Sequence, residues 1–210
     1  QIIRSTQEKF NIPVFSTETG YSSAGIDLGS NFFRINKKVK VAMLIGEGVS
    51  SYEAGEVWHL LDTRVNIPLT KIRLNQFNRT SLDKYTTLVM VSGIYSQISE
   101  KDIKKIKDWV SKGNTLVTIG SASSWAIKKE IVSESLVETK KDSVFSRKRY
   151  IDAREYIGRE AIGGSILSVD LDLTHPLAFG YRDKSIPVYK NNNVFLSKSE
   201  SQYSSVALYS

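Results

Sequence analysis

The period of apolar positions changes repeatedly along the chain, and each change predicts an element. Val39-Lys40-Val41-Ala42-Met43-Leu44-Ile45 is a short, largely apolar run closed by Gly46, as a buried strand would be. Ala54, Val57, Trp58 and Leu61 then fall at i, i+3, i+4 and i+7, one stripe on a helix of about three turns. Pro68 to Ile72 predicts a second strand, and Thr87 to Val91 a third that stops at Ser92-Gly93. In the next helix Ser99 is the N-cap, and Asp102 stands where its carboxylate reaches back to the Ser99 amide. Ile98 and Ile103 occupy the staple positions, Ile103, Ile106 and Val110 face inward, and Gly113 suits the left-handed C-terminal residue. Thr115 to Ile119 follows as a fourth strand ending at Gly120. Trp58 and Trp109 both lie on or beside apolar stripes and are expected in the core.

Strands apolar on both faces, alternating with amphipathic helices, imply a parallel sheet covered on each side. With right-handed crossovers the expectation is a three-layer, doubly wound α/β fold of flavodoxin-like order, with a mostly parallel sheet. Past this the pattern loosens. Tyr150 to Ile157 reads as helix, Gly163-Gly164 as a break, and Ser165 to Leu171 alternates like a strand. Ser185 to Tyr189, a turn at Asn191-Asn192-Asn193 and Val194 to Leu196 read as a terminal hairpin. Residues 1–38 have few periodic positions and are expected as a lead-in packed across the sheet of a 39–210 domain.

Composition narrows the chemistry. The 210 residues suffice for a sizeable core, and the absence of cysteine removes disulfides, zinc–cysteine sites and any cysteine nucleophile. The net charge is +7, densest at Lys140, Lys141, Arg147, Lys148 and Arg149 with Asp142 among them. No recognition-helix, zinc-finger or RNA-binding pattern accompanies it, so a solvated surface is expected rather than a nucleic-acid partner. No apolar run approaches the roughly 18 residues of a membrane span. The chain opens at Gln1 without a signal segment, which reads as a processed product or an excised piece.

Three places could carry chemistry. Gly46-x-Gly48 lies between strand and helix, where a phosphate meets helix amides, but Ser51 replaces the third glycine and Arg73 the expected acid. What remains is a tight turn, or a small-anion site at Ser50 and Ser51 joined by Ser92 and Ser121 along the strand ends. Gly120-Ser121-Ala122-Ser123-Ser124 resembles a nucleophile elbow without its last glycine; Ser121 or Ser123 with His175 would be the hydrolytic alternative. Asp170-x-Asp172-x-x-His175 has the residue types of a metal cluster but lacks a fourth ligand, and a strand end with a capped turn explains it equally. Asn78-Arg79-Thr80 also fits a glycosylation sequon.

Several stretches taken together resemble a known family: Gly25-Ile26-Asp27-Leu28-Gly29-Ser30, the Lys40 to Ser51 segment, Ala54-Gly55-Glu56-Val57-Trp58-His59-Leu60-Leu61-Asp62, and Thr174-His175-Pro176-Leu177-Ala178-Phe179-Gly180-Tyr181. The succession is similar to the C-terminal region of bacterial zinc carboxypeptidase-like proteins of the Bacteroidetes type. The resemblance implies a class I glutamine amidotransferase-like domain following a peptidase domain, in a periplasmic or secreted protein, with zinc and catalysis upstream. A glutaminase of that fold needs an elbow cysteine and a later His-x-Glu pair, whereas this chain has no cysteine and Leu177 where a His-Pro-Glu glutamate would stand. A carboxypeptidase zinc site needs His-x-x-Glu, and the residues three after His59 and His175 are Asp62 and Ala178. The expectation is therefore a non-catalytic accessory domain that docks on its own peptidase domain or shapes its substrate, with no cofactor of its own.

Overall fold

A computed structural model describes residues 2–33, 38–137 and 149–210. The chain divides into two units, Gln1–Lys38 and Val39–Ser210. The first begins with a helix that the sequence pattern did not predict, α1 (Ile2–Phe10), none of whose residues is buried. Its loop is tied by Leu28 N–H to Gly20 O (2.8 Å) and by Ser22 N–H to the Asp27 carboxylate (2.8 Å).

In the second unit β1 (Val41–Ile45), β2 (Leu69–Arg73), β3 (Thr87–Met90) and β4 (Thr115–Thr118) form an all-parallel sheet in the order β2-β1-β3-β4. Alternation along β1 divides the core in two. Ala42 and Leu44 pack on one face with Leu88, Met90, Ile103, Ile106 and Trp109; Val41 and Met43 pack on the other with Ala54, Val89 and Val91. Helix α2 (Ser51–His59) covers the second face, and α3 (Glu100–Ser111) and α4 (Ser121–Lys128) the first. The unit is thus α/β, and its strand order is compatible with a flavodoxin-like fold. Phe77, Met43 and Leu44 are among the largest fully buried side chains, each worth about 1.5–3 kcal/mol in removed apolar surface.

Local details follow the predicted pattern with two departures. Ser99 Oγ caps α3 by accepting from Asp102 N–H (3.2 Å). The Asp102 carboxylate reaches back to the Ser99 amide as expected, and it also accepts from the Ser99 hydroxyl (2.6 Å) and pairs with Lys105 (3.0 Å). Gly113 takes the expected left-handed conformation (φ 88°) after the helix. Trp58 is not core: it is 43% exposed, because Ala54, Val57 and Leu61 carry the contact with the sheet and leave it at the rim. There Lys71 Nζ stands 3.9 Å over its ring, a cation–π contact.

The second departure is the C-terminal hairpin. β5 (Ser165–Leu171) pairs antiparallel with β6 (Ser185–Lys190) on one side and β7 (Ala207–Tyr209) on the other, forming a separate sheet β6-β5-β7. Residues 194–196 do not turn back onto β6. Lys190 Nζ donates to Asn192 Oδ1 (3.0 Å) and Val194 O (2.6 Å) and lies 4.3 Å over the Phe195 ring, bending the chain away. Phe195 and Ser197 then bond residues 135–137: Val137 N–H to Phe195 O and Ser197 N–H to Ser135 O, both 2.9 Å. Helix α5 (Ala153–Glu160) precedes β5 as expected. Of the basic stretch, positions 140–148 lie outside the described residues, and Arg149 pairs with Asp152 (2.9 Å). No helix among the described residues is long and apolar enough to cross a membrane.

Candidate functional site at the strand ends

The carboxyl ends of β1, β3 and β4 bring together the loops that the sequence singled out. β1 and β3 are neighbours although β2 intervenes in sequence, so the crevice where such sheets hold ligands falls between them. Here it is closed by backbone. Val49 and Gly93 form an antiparallel bridge, Ser50 N–H donates to Ser92 O (2.8 Å), and Ile94 N–H donates to Gly48 O (2.7 Å). The glycines permit this approach. A Cβ on Gly93 would lie 2.8 Å from Gly48 O, and one on Gly48 3.0 Å from Ile94 O. Gly46-x-Gly48 therefore serves a tight turn (φ 111° and 86°) that zips onto the β3 loop.

The amides proposed for an anion are largely spent within the protein. Ser50 N–H is used as above, Ser92 N–H donates to Glu53 Oε2 (2.8 Å), and Ser121 N–H donates to Ser92 Oγ (3.2 Å). Glu53 was missed from sequence, although Ser50-x-x-Glu53 is a capping-box spacing that could have revealed it. Ser50 Oγ does accept from Glu53 N–H (3.4 Å), but the carboxylate crosses to the neighbouring loop instead of returning to Ser50. Beneath it Tyr95 donates to Val91 O (2.5 Å). Burial, with the Glu53 charge adding, pushes the Tyr95 phenol well above its ordinary value.

The hydroxyls of the elbow-like turn are also engaged. Ser121 Oγ accepts from Gly93 N–H (3.0 Å) and donates to Gly93 O (3.4 Å). Ser123 Oγ donates to Thr118 O (3.1 Å) and lies 2.9 Å from Thr118 Oγ1. His175 belongs to the other sheet's loop, where Nδ1 accepts from Leu177 N–H (3.1 Å) and caps the 3₁₀ turn Pro176–Ala178. His59 lies exposed at the end of α2. Serine and imidazole are thus not brought together as a triad requires.

Asp170, Asp172 and His175 serve local bonds. Asp170 accepts from Ser210 Oγ (3.2 Å), and Asp172 accepts from Thr174 N–H (3.0 Å) and Oγ1 (2.6 Å). Those Thr174 bonds hold the Asp172 carboxyl below its ordinary range. Among the described residues no three His, Asp or Glu side chains are grouped to hold a metal ion. Lys190 is buried with no carboxylate among the described residues paired to it, and desolvation lowers its pKa.

What the geometry defines is a parallel α/β unit whose strand-end crevice is sealed by its own loops. No protein-family model and no curated protein matches the chain.

Proposed function

We propose that the chain is a non-catalytic accessory module, amidotransferase-like in fold, of an exported zinc carboxypeptidase-like protein, and that it docks on the peptidase domain or shapes its substrate. The observation that carries the non-catalytic reading is the sealed crest. Glu53, Gly93 and Ser92 occupy the amides and hydroxyls that an acyl-transfer site at the strand ends would need free for an oxyanion and a nucleophile. The absence of cysteine and of a His-x-x-Glu pair agrees with it, since neither glutamine hydrolysis nor peptidase zinc chemistry has its residues in this chain. In this reading zinc is held upstream, and no step passes through residues 1–210.

Support for the parent class comes from the "GEVWHLLD" and "THPLAFGY" resemblance. The test is the coding sequence upstream of Gln1. An in-frame peptidase domain carrying His-x-x-Glu supports the reading, and an upstream frame without that pair removes it.

A further inference from the structure

We infer that the seam between α3 and the 3₁₀ segment Leu74–Arg79 is a binding groove for an extended peptide bearing a carboxylate. Three depressions run along this seam, of about 470, 240 and 240 Å³. The first and second share Asn78 and Asp102; the second and third share Leu74, Asn75 and Gln97. They therefore form one trough, which starts beside Trp109 and reaches Gly46 and Arg73 at the strand ends.

The local sequence builds its wall. In a 3₁₀ helix residues i and i+3 eclipse, so Leu74 and Phe77 face the core together while Asn75 and Asn78 form a row on the surface. At about 2.0 Å rise per residue, two such side chains recur roughly every 6 Å. Same-side residues of an extended chain recur roughly every 6.6–6.8 Å. The side-chain carboxamides of Asn75, Asn78 and Gln97 have no hydrogen-bond partner among the described residues. Each carboxamide offers one acceptor and two donors, the complement of a peptide unit.

The end near Trp109 favours a carboxylate. Its three acids are already paired: Asp83 with Lys112 (3.9 Å), Asp102 with Lys105 (3.0 Å) and Asp108 with Lys104 (2.6 Å). Lys101 has no acid partner among the described residues. The indole N–H of Trp109, 97% buried by residue area given its 3% exposure, is the one buried side-chain polar atom among them without an acceptor. The Trp109 N–H is itself covered and its residue only lines this end, so the unpaired Lys101 ammonium and the free carboxamide donors beside it are what select an anionic acceptor.

The experiment is ¹⁵N–¹H NMR titration of the full 210-residue chain with acetyl-pentaalanyl-aspartate. Saturable shifts are expected at the side-chain amides of Asn75, Asn78 and Gln97 and at the Trp109 indole. The uncharged peptide ending in asparagine amide should bind about tenfold more weakly. Asn78→Ala should weaken both peptides, and Lys101→Ala only the acidic one, with the remaining spectrum unchanged. The inference is overturned by absence of saturable shifts at low-millimolar peptide, by unchanged affinity in Asn78→Ala, or by acetate alone reproducing the shifts, which would mean a lone anion site. None of these outcomes depends on the parent protein's identity.

Discussion

The Ser92 amide donates to the Glu53 carboxylate across 2.8 Å, joining the loop after β3 to the first turn of α2. An acid in that turn is already favoured by the helix dipole, and here it also satisfies a donor that the parallel ladder leaves over. Glu53→Ala should destabilise the chain by about 1–3 kcal/mol, because Ser92 N–H is left unpaired in a half-buried place. Glu53→Gln, which keeps an acceptor, should lose clearly less. Urea denaturation of both variants is the measurement; equal losses would show that the bond itself contributes little.

Tyr95 gives a pH dependence of definite sign. Its phenol is held protonated in the folded state, mainly by burial and further by Glu53, whereas an unfolded tyrosine ionises near pH 10. Above about pH 10 the unfolded chain therefore binds fewer protons than the folded one, and stability falls as pH rises. The stabilising contribution is fully present below that pH. Tyr95→Phe should lower stability at neutral pH through the lost bond to Val91 O and flatten this alkaline decline. Parallel pH–stability curves for the two proteins would refute the assignment.

The elbow-like serines should behave as ordinary alcohols. Ser121 and Ser123 are bonded to Gly93 and Thr118, and His175 uses Nδ1 to cap its own turn. A fluorophosphonate probe should label neither serine rapidly. His175→Ala should cost about 0.5–2 kcal/mol as a lost cap, and His175→Asn should recover part of it, since a carboxamide oxygen can accept the same amide. Rapid stoichiometric labelling that vanishes in His175→Ala would instead establish the hydrolytic alternative.

The parallel half was legible because each element carried a local signal strong enough to survive tertiary context. Ser99, Gly113 and the Ile103/Ile106 stripe mark α3 within a turn at either end, and the apolar run at β1 admits no other reading. Trp58 failed because period locates a stripe but not its width. One helix seated over the interior strand β1 leaves its i+4 position at the rim, beside Lys71 of the edge strand β2. The hairpin failed because pairing of 194–196 is decided by the Lys190 socket, a contact among Asn192, Val194 and Phe195 that no period encodes. At the crest the residue types were visible, yet the bonds between the β1, β3 and β4 loops span 28 to 46 positions and needed the fold. The groove carried a faint sign, the Leu-Asn-x-Phe-Asn spacing of residues 74–78, which has meaning only once the segment is known to be 3₁₀.

Closure of the crest rests most directly on Gly93. Its Cα stands where the β1 and β3 loops cross, and a methyl there would meet Gly48 O at 2.8 Å, Val49 Cα at 3.1 Å and the Tyr95 ring at 3.4 Å. Two of these neighbours are backbone atoms held by the Val49–Gly93 bridge and the Ile94–Gly48 bond, so they cannot rotate aside as a side chain would. Gly93→Ala should therefore part the loops or cost about 1–3 kcal/mol in overpacking. Parting them would also break the Ser50–Ser92 bond and release the amides of Ser50, Ser92 and Ser121. The expected signature is a loss of stability together with faster amide hydrogen exchange confined to residues 48–50, 92–94 and 121, while α3 keeps its protection. A variant as stable as the parent, with unchanged exchange in both loops, would show that the crossing tolerates a methyl and that the seal is weaker than its geometry implies.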